Sequence, residues 1–128
     1  MEIGIIGKQE IVVTEEKTAK AMGSGELNVF ATPAMIALME NTAYTSVAGR
    51  LEAGQGTVGT LMNVQHVAAT PVGMKVVCET ELVEIDRRRL VFKVKASDEA
   101  GLIGEGTHER FIVDNAKFQS RADAKLAK

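Results

Sequence analysis

The sequence predicts an α+β domain in which one long central helix is wrapped by an antiparallel β-sheet. Three features carry that expectation: an unbroken apolar run from Ala34 to Met39 behind a Thr32-Pro33 start, four later stretches of alternating hydrophobicity, and short turns between those stretches. At 128 residues the chain can build one core but not two, so residues 1–128 read as a single domain with a polar tail from about 115.

Ile3 to Val13 is rich in Ile and Val, with Gly4 and Gly7 inside it, and reads as a first strand or a bent pair of short ones. Thr14 caps a short helix whose first turn carries Glu15 and Glu16 and which ends at Gly23-Ser24-Gly25. A loop leads into the central helix, Phe30 to Arg50. There Thr32 is expected to cap the start, Pro33 to occupy the first helical position and Gly49 to stop it. Placed 100° apart, Ile36, Ala37, Ala43, Tyr44, Val47 and Ala48 share one side, with Glu40 near its middle; Asn41, Thr42, Thr45 and Ser46 fall opposite.

From Thr57 to Ala69, strict alternation places Val58, Thr60, Met62, Val64, His66 and Ala68 on one face of a strand. Strands follow at Met74 to Glu84 and Leu90 to Ser97, joined by the charged hairpin Asp86-Arg87-Arg88-Arg89. Its arginines suit a solvated turn or a grip on the phosphates of a nucleotide-tailed ligand. Leu102 to Val113 is the last strand. Gly104 and Gly106, two apart on one face, mark a close approach by another backbone, such as a helix laid across the sheet. His108 and Arg110 share that parity; either could reach a pocket or pair with acids, and pairing is the preferred reading.

Hydrophobic residues at 45% and charged residues at 25% are soluble-globular values, and a net charge of −2 argues against a general nucleic-acid binder. No apolar run approaches the roughly 20 residues of a membrane span. Met1 to Lys8 lacks the basic-then-apolar pattern of an export signal. The one cysteine, Cys78, reads as a buried thiol suited to a reducing cytoplasm. With no close pair among Cys78, His66 and His108, no metal site is expected.

Two polar residues stand where core residues belong. Glu40 interrupts the apolar side of the helix; hydrogen-bonded burial, a place at a cleft edge and a chemical role all remain open for it on periodicity alone. His66 sits on the more apolar face of a strand able to pack against that helix. Alone it reads as a satisfied core histidine, whereas the two exceptions together point to a site.

Three segments then carry a resemblance. They are Phe30-Ala31-Thr32-Pro33-Ala34-Met35-Ile36-Ala37-Leu38-Met39-Glu40, Gly59-Thr60 with His66-Val67-Ala68-Ala69-Thr70-Pro71-Val72-Gly73, and Gly104-Glu105-Gly106-Thr107-His108-Glu109-Arg110. In that order they resemble the hotdog-fold thioesterases related to fluoroacetyl-CoA thioesterase, over most of the chain up to about Phe118.

The resemblance implies a hotdog fold and a homodimer whose sheets join edge to edge, with tetramers as an open extension and active sites at the subunit interface. It implies catalytic roles for Thr32, Glu40 and His66, and a backbone N–H of Gly59 that helps hold the thioester oxygen; Thr60, Phe30 and Arg110 join Gly59 as expected substrate contacts. Thr32 would have to serve as cap and catalyst together. No cofactor is expected, coenzyme A being part of the substrate. The segment Ala21 to Val29 lacks the aromatic gate residues of the fluoroacetyl-specific member, which favours a general short- or medium-chain acyl-CoA. An acyl-thioester hydratase or dehydratase and a non-catalytic acyl-CoA-binding module are the competing readings.

Overall fold

The computed structural model describes residues 1–127. Strand β1 (Ile6–Val12) leads through a 3₁₀ turn at Glu15–Lys17 to a one-turn helix α1 (Ala19–Met22), then to the long helix α2 (Thr32–Ala48). Strands β2 (Gln55–His66), β3 (Lys75–Asp86), β4 (Arg89–Asp98) and β5 (Gly101–Asp114) follow, and a helix α3 (Asn115–Asp123) begins the tail. The strands form one antiparallel sheet in the order β1-β3-β4-β5-β2. Both α2 and the sheet were expected, and β1 and β2 are left as the two edges.

The short helix expected behind Thr14 is split instead. The Thr14 hydroxyl donates to the Glu16 carboxylate at 2.7 Å, and Thr18 is the residue that caps, accepting from the Ala21 N–H at 3.1 Å. Between the strands, Arg87 alone takes a left-handed conformation (φ 59°) at the two-residue β3–β4 turn. Arg89 belongs to β4, where Glu84 and Glu109 each lie 2.9 Å from its guanidinium.

The core lies between α2 and one face of the sheet. Met35, Leu38, Met39, Ala43 and Val47 of the helix pack there with Val76, Cys78, Leu82, Leu90, Phe92, Val94, Ala96 and Ile103. This is not the helix side that periodicity selected. Ala37, Tyr44 and Ala48 are exposed, while Thr42 is only 1% exposed. The reason is local: Thr42, Thr45 and Ser46 donate their hydroxyls back to the carbonyls of Leu38, Asn41 and Ala43, so these residues do not need water and the helix is nearly apolar all round. A second apolar side therefore remains uncovered in a single chain.

Strict alternation also fails in β2. A bulge between Gly59 and Leu61 inserts Thr60 as an extra residue, so Gly59 and Thr57 before it and Met62, Val64 and His66 after it face α2. Val58 and Thr60 lie off that face, contrary to the alternation.

Gly104 and Gly106 of β5 do mark close approaches, of different kinds. A Cβ at Gly104 would lie 2.5 Å from the Met35 sulfur of α2, as a helix crossing the sheet requires. One at Gly106 would strike the neighbouring strand instead, 2.6 Å from the Val64 Cα. Cys78 is fully buried, and burial pushes its thiol pKa up. Among the described residues no helix is long and apolar enough to cross a membrane.

Candidate active site

Thr32 does not cap α2. Ala31 takes the cap position in an extended conformation, its carbonyl accepting from the Met35 N–H, and no side chain caps this end. As the first helical residue, Thr32 points its hydroxyl at the end of β2 instead. There Thr32 Oγ1 lies 2.8 Å from His66 Nδ1. With the ring proton on Nε2, Nδ1 accepts from the hydroxyl; with it on Nδ1, the ring donates. His66 Nε2 is buried and has no hydrogen-bond partner among the described residues. Burial lowers the His66 pKa, partly offset by the Ala68 backbone, which keeps the ring neutral and able to take a proton.

Glu40 stands two turns further along the helix, at a rim rather than in the core, with its side chain 44% exposed. Gly59 faces it: a Cβ there would lie 2.6 Å from Glu40 Oε2. Glycine is thus the residue that lets strand and carboxylate meet. Arg110 Nη1 approaches the same carboxylate oxygen at 3.8 Å. The guanidinium is buried, donates from Nε to Thr57 Oγ1 at 2.8 Å and from Nη2 to the Thr57 carbonyl at 2.9 Å, and sits 5.7 Å from the Tyr44 ring centroid. Burial lowers its pKa, opposed by Glu40 and Tyr44.

Of the residues expected to meet substrate, Gly59 and Arg110 converge on Glu40. Thr60 keeps its hydroxyl on the bulge, donating to the Glu109 carbonyl at 3.3 Å. Phe30 is corrected: at 1% exposure it is sealed in the core, and its N–H is tied to the Thr70 carbonyl at 2.8 Å. An aromatic ring just before an apolar helix gains more from burial than from a solvent-facing wall. Thr57, Tyr44 and His108 were not singled out as site residues. Only the shared parity of His108 and Arg110 signalled any of them.

Two half-sites result. His66 pairs with Gly104 across the β2–β5 ladder, and Gly59 with Arg110. Six residues of strand separate Gly104 from Arg110, about 20 Å, and eight residues of helix separate Thr32 from Glu40, about 12 Å. Glu40 therefore does not orient the His66 of its own chain; Thr32 is the hydrogen-bond partner of that ring. A concavity of about 550 Å³ lies on the opposite face of the sheet among Glu79, Glu81, Lys93, Lys95 and Glu105, and includes none of these groups.

The same frame occurs in solved structures. One of the fluoroacetyl-CoA thioesterase superposes with a TM-score of 0.92 at 37% identity, covering 98% of this chain and 97% of that one. A Thermus thermophilus protein described as a thioesterase superfamily member gives 0.87 at 28% identity, covering 99% and 97%. Fold and likeness define the class, a hotdog-fold thioesterase and so a thioester hydrolase. The family model of the fluoroacetyl-CoA-specific thioesterases matches residues 13–116. Over 98% of its length the chain is 37% identical to the fluoroacetyl-CoA thioesterase of Streptantibioticus cattleyicolor, covering 94% of that protein. The chain belongs to the fluoroacetyl-CoA-specific thioesterase family.

Proposed function

We propose that this protein hydrolyses a short- or medium-chain acyl-CoA to free acid and CoA, without a cofactor, in the reducing cytoplasm that its single buried thiol suits. The observation that carries the reading is the Thr32–His66 pair at 2.8 Å, a hydroxyl held by a neutral imidazole whose other nitrogen is buried and unpartnered. His66 takes a proton from a water, and the oxygen so activated attacks the thioester carbonyl; where the Thr32 hydroxyl attacks instead, a water activated by His66 then cleaves the acyl-Thr32 ester to free acid and restores the hydroxyl. The N–H of Gly59 supports the developing oxyanion. As the C–S bond breaks, CoA leaves as a thiolate and takes up the proton held by His66. Glu40 holds the attacking water, or itself attacks the carbonyl to form a mixed anhydride that water then hydrolyses, releasing the acid and restoring the carboxylate.

A homodimer supports this chemistry better than one chain, because the half-sites are too far apart within a chain. Antiparallel pairing of β2 with its copy, about an axis near Met62–Asn63, would set the partner's His66 opposite Gly59 and Glu40. The uncovered side of α2, with Tyr44 43% exposed, and Leu61 on β2, 45% exposed, supply apolar surface for such a contact. The absence of aromatics from Ala21 to Val29 supports a general short- or medium-chain acyl group rather than fluoroacetyl alone.

The test is thiol release from acyl-CoAs of increasing chain length, comparing wild type, Glu40→Gln and His66→Ala at equal folded concentration. Turnover by wild type and a loss of at least about 100-fold in both variants are expected. Fluoroacetyl-CoA preferred by orders of magnitude over all other members would overturn the substrate range; no turnover at all would overturn the activity.

A further inference from the structure

The bulge that carries Gly59 is held at both ends by β5. Before it, Arg110 donates twice to Thr57, to the hydroxyl at 2.8 Å and to the carbonyl at 2.9 Å. After it, His108 Nδ1 lies 2.9 Å from the Leu61 carbonyl. The two β5 side chains are joined to each other, Arg110 Nη1 lying 3.2 Å from His108 Nε2.

Only one state of the ring satisfies both contacts. A carbonyl can only accept and a guanidinium can only donate, so Nδ1 carries the proton and Nε2 receives the Arg110 N–H. A second proton would set two donors face to face beside a fixed positive charge. Burial is the main cause that holds the His108 pKa below its ordinary value; the Leu61 carbonyl opposes it, Arg110 adds to it, and Glu40 opposes it least. The ring is 1% exposed and stacks against Phe92 with centroids 6.1 Å apart, so it cannot touch a substrate. An apolar side chain would fill that space equally well. The two polar contacts are what call for histidine.

We propose that His108 is a positioning residue of the thioesterase: by pinning the Leu61 carbonyl and Arg110 together it fixes the bulge, and with it the place of the Gly59 backbone beside Glu40. The inference rests on the proposed role of Gly59 as a donor to the thioester oxygen. An error of about 1 Å in such a donor costs on the order of 100-fold in rate, which makes a clamp of this kind worth a buried histidine.

The test compares wild type with His108→Ala, His108→Asn and His108→Gln, measuring kcat and KM for the acyl-CoA that wild type turns over fastest, together with the Gly59 amide resonance in each folded protein. Asn can place an N–H near the position of Nδ1 and reach Leu61, whereas Gln offers its amide near Nε2, towards Arg110. Expected is a fall of about 100-fold in kcat for Ala with KM altered less than about threefold, a displaced Gly59 resonance, and recovery of both by Asn well beyond Gln. Folded His108→Ala with wild-type kcat and an unmoved Gly59 resonance would sink the proposal, as would Asn rescuing no better than Gln. If Ala does not fold, the order of Asn and Gln decides. If wild type releases no thiol from any substrate, the proposed activity fails, yet the Gly59 resonance still decides whether His108 holds the bulge.

Discussion

At the residue scale, His108 couples the site to pH through stability. The groups facing it are the Leu61 carbonyl from β2, Arg110 from β5, Glu40 from α2 and the Phe92 ring from β4, and their net effect with burial holds its folded pKa below 6.5. The unfolded chain then binds this proton first as pH falls. Stability is complete above about 6.5 and is lost as pH drops through the folded value. Melting temperature between pH 8 and 5 should fall less steeply in His108→Asn than in wild type; equal slopes would assign the loss to other groups. Glu40 and His66 stand out in the sequence as candidates because each breaks an apolar pattern, although the side of α2 that Glu40 interrupts is not the one buried against the sheet. The task of Thr32 was not, since its partner lies 34 residues away and a Thr before a Pro reads as a cap. Thr57 and Leu61 act partly or wholly through backbone carbonyls, which no residue type announces.

At the scale of elements, the sequence located the strands and the long helix but not how two of them are oriented. Alternation cannot foresee a bulge, because one extra residue leaves the composition of β2 unchanged while exchanging its faces. Helical projection failed on α2 for another reason, the hydroxyls of Thr42, Thr45 and Ser46 being satisfied by their own helix. Gly104 and Gly106 were legible as close approaches, and the difference between them is testable. Ala at 106 would press on the backbone of β2, which cannot yield without parting the ladder. Gly106→Ala is expected to cost at least about 2 kcal/mol in denaturant unfolding. Gly104→Ala, which presses on the flexible end of Met35 and less closely on the Gln65 carbonyl of β2, 2.9 Å away, should cost less. The reverse order would mean that α2, not β2, limits the packing of β5.

For the whole molecule, an α+β layout was readable because length, a single apolar helix and four short-turned strands leave few other arrangements. What the sequence could not disclose is that the candidate site groups fall into two halves. If Thr32 and His66 of one copy work with Glu40 and Gly59 of the other, inactive variants should complement. A His66→Ala copy mixed with a Glu40→Gln copy forms mixed dimers in which one site has both native groups. Random pairing makes half the dimers mixed, with one of two sites intact, so about a quarter of wild-type activity should return. Activity no higher than the average of the two variants would place each site within one chain.

The sheet order leaves two unequal margins. β2, with Leu61 and a glycine-bearing bulge, lies on one side, while β1 places Lys8, Gln9 and Glu10 on the other. Pairing through the first consumes it by symmetry, and the outward margins that remain are both β1, charged and seven residues long. Assembly through strand edges would thus terminate at two chains instead of propagating into a fibre. Removing the charge of Lys8 and Glu10 is the change that would most expose the protein to polymerisation.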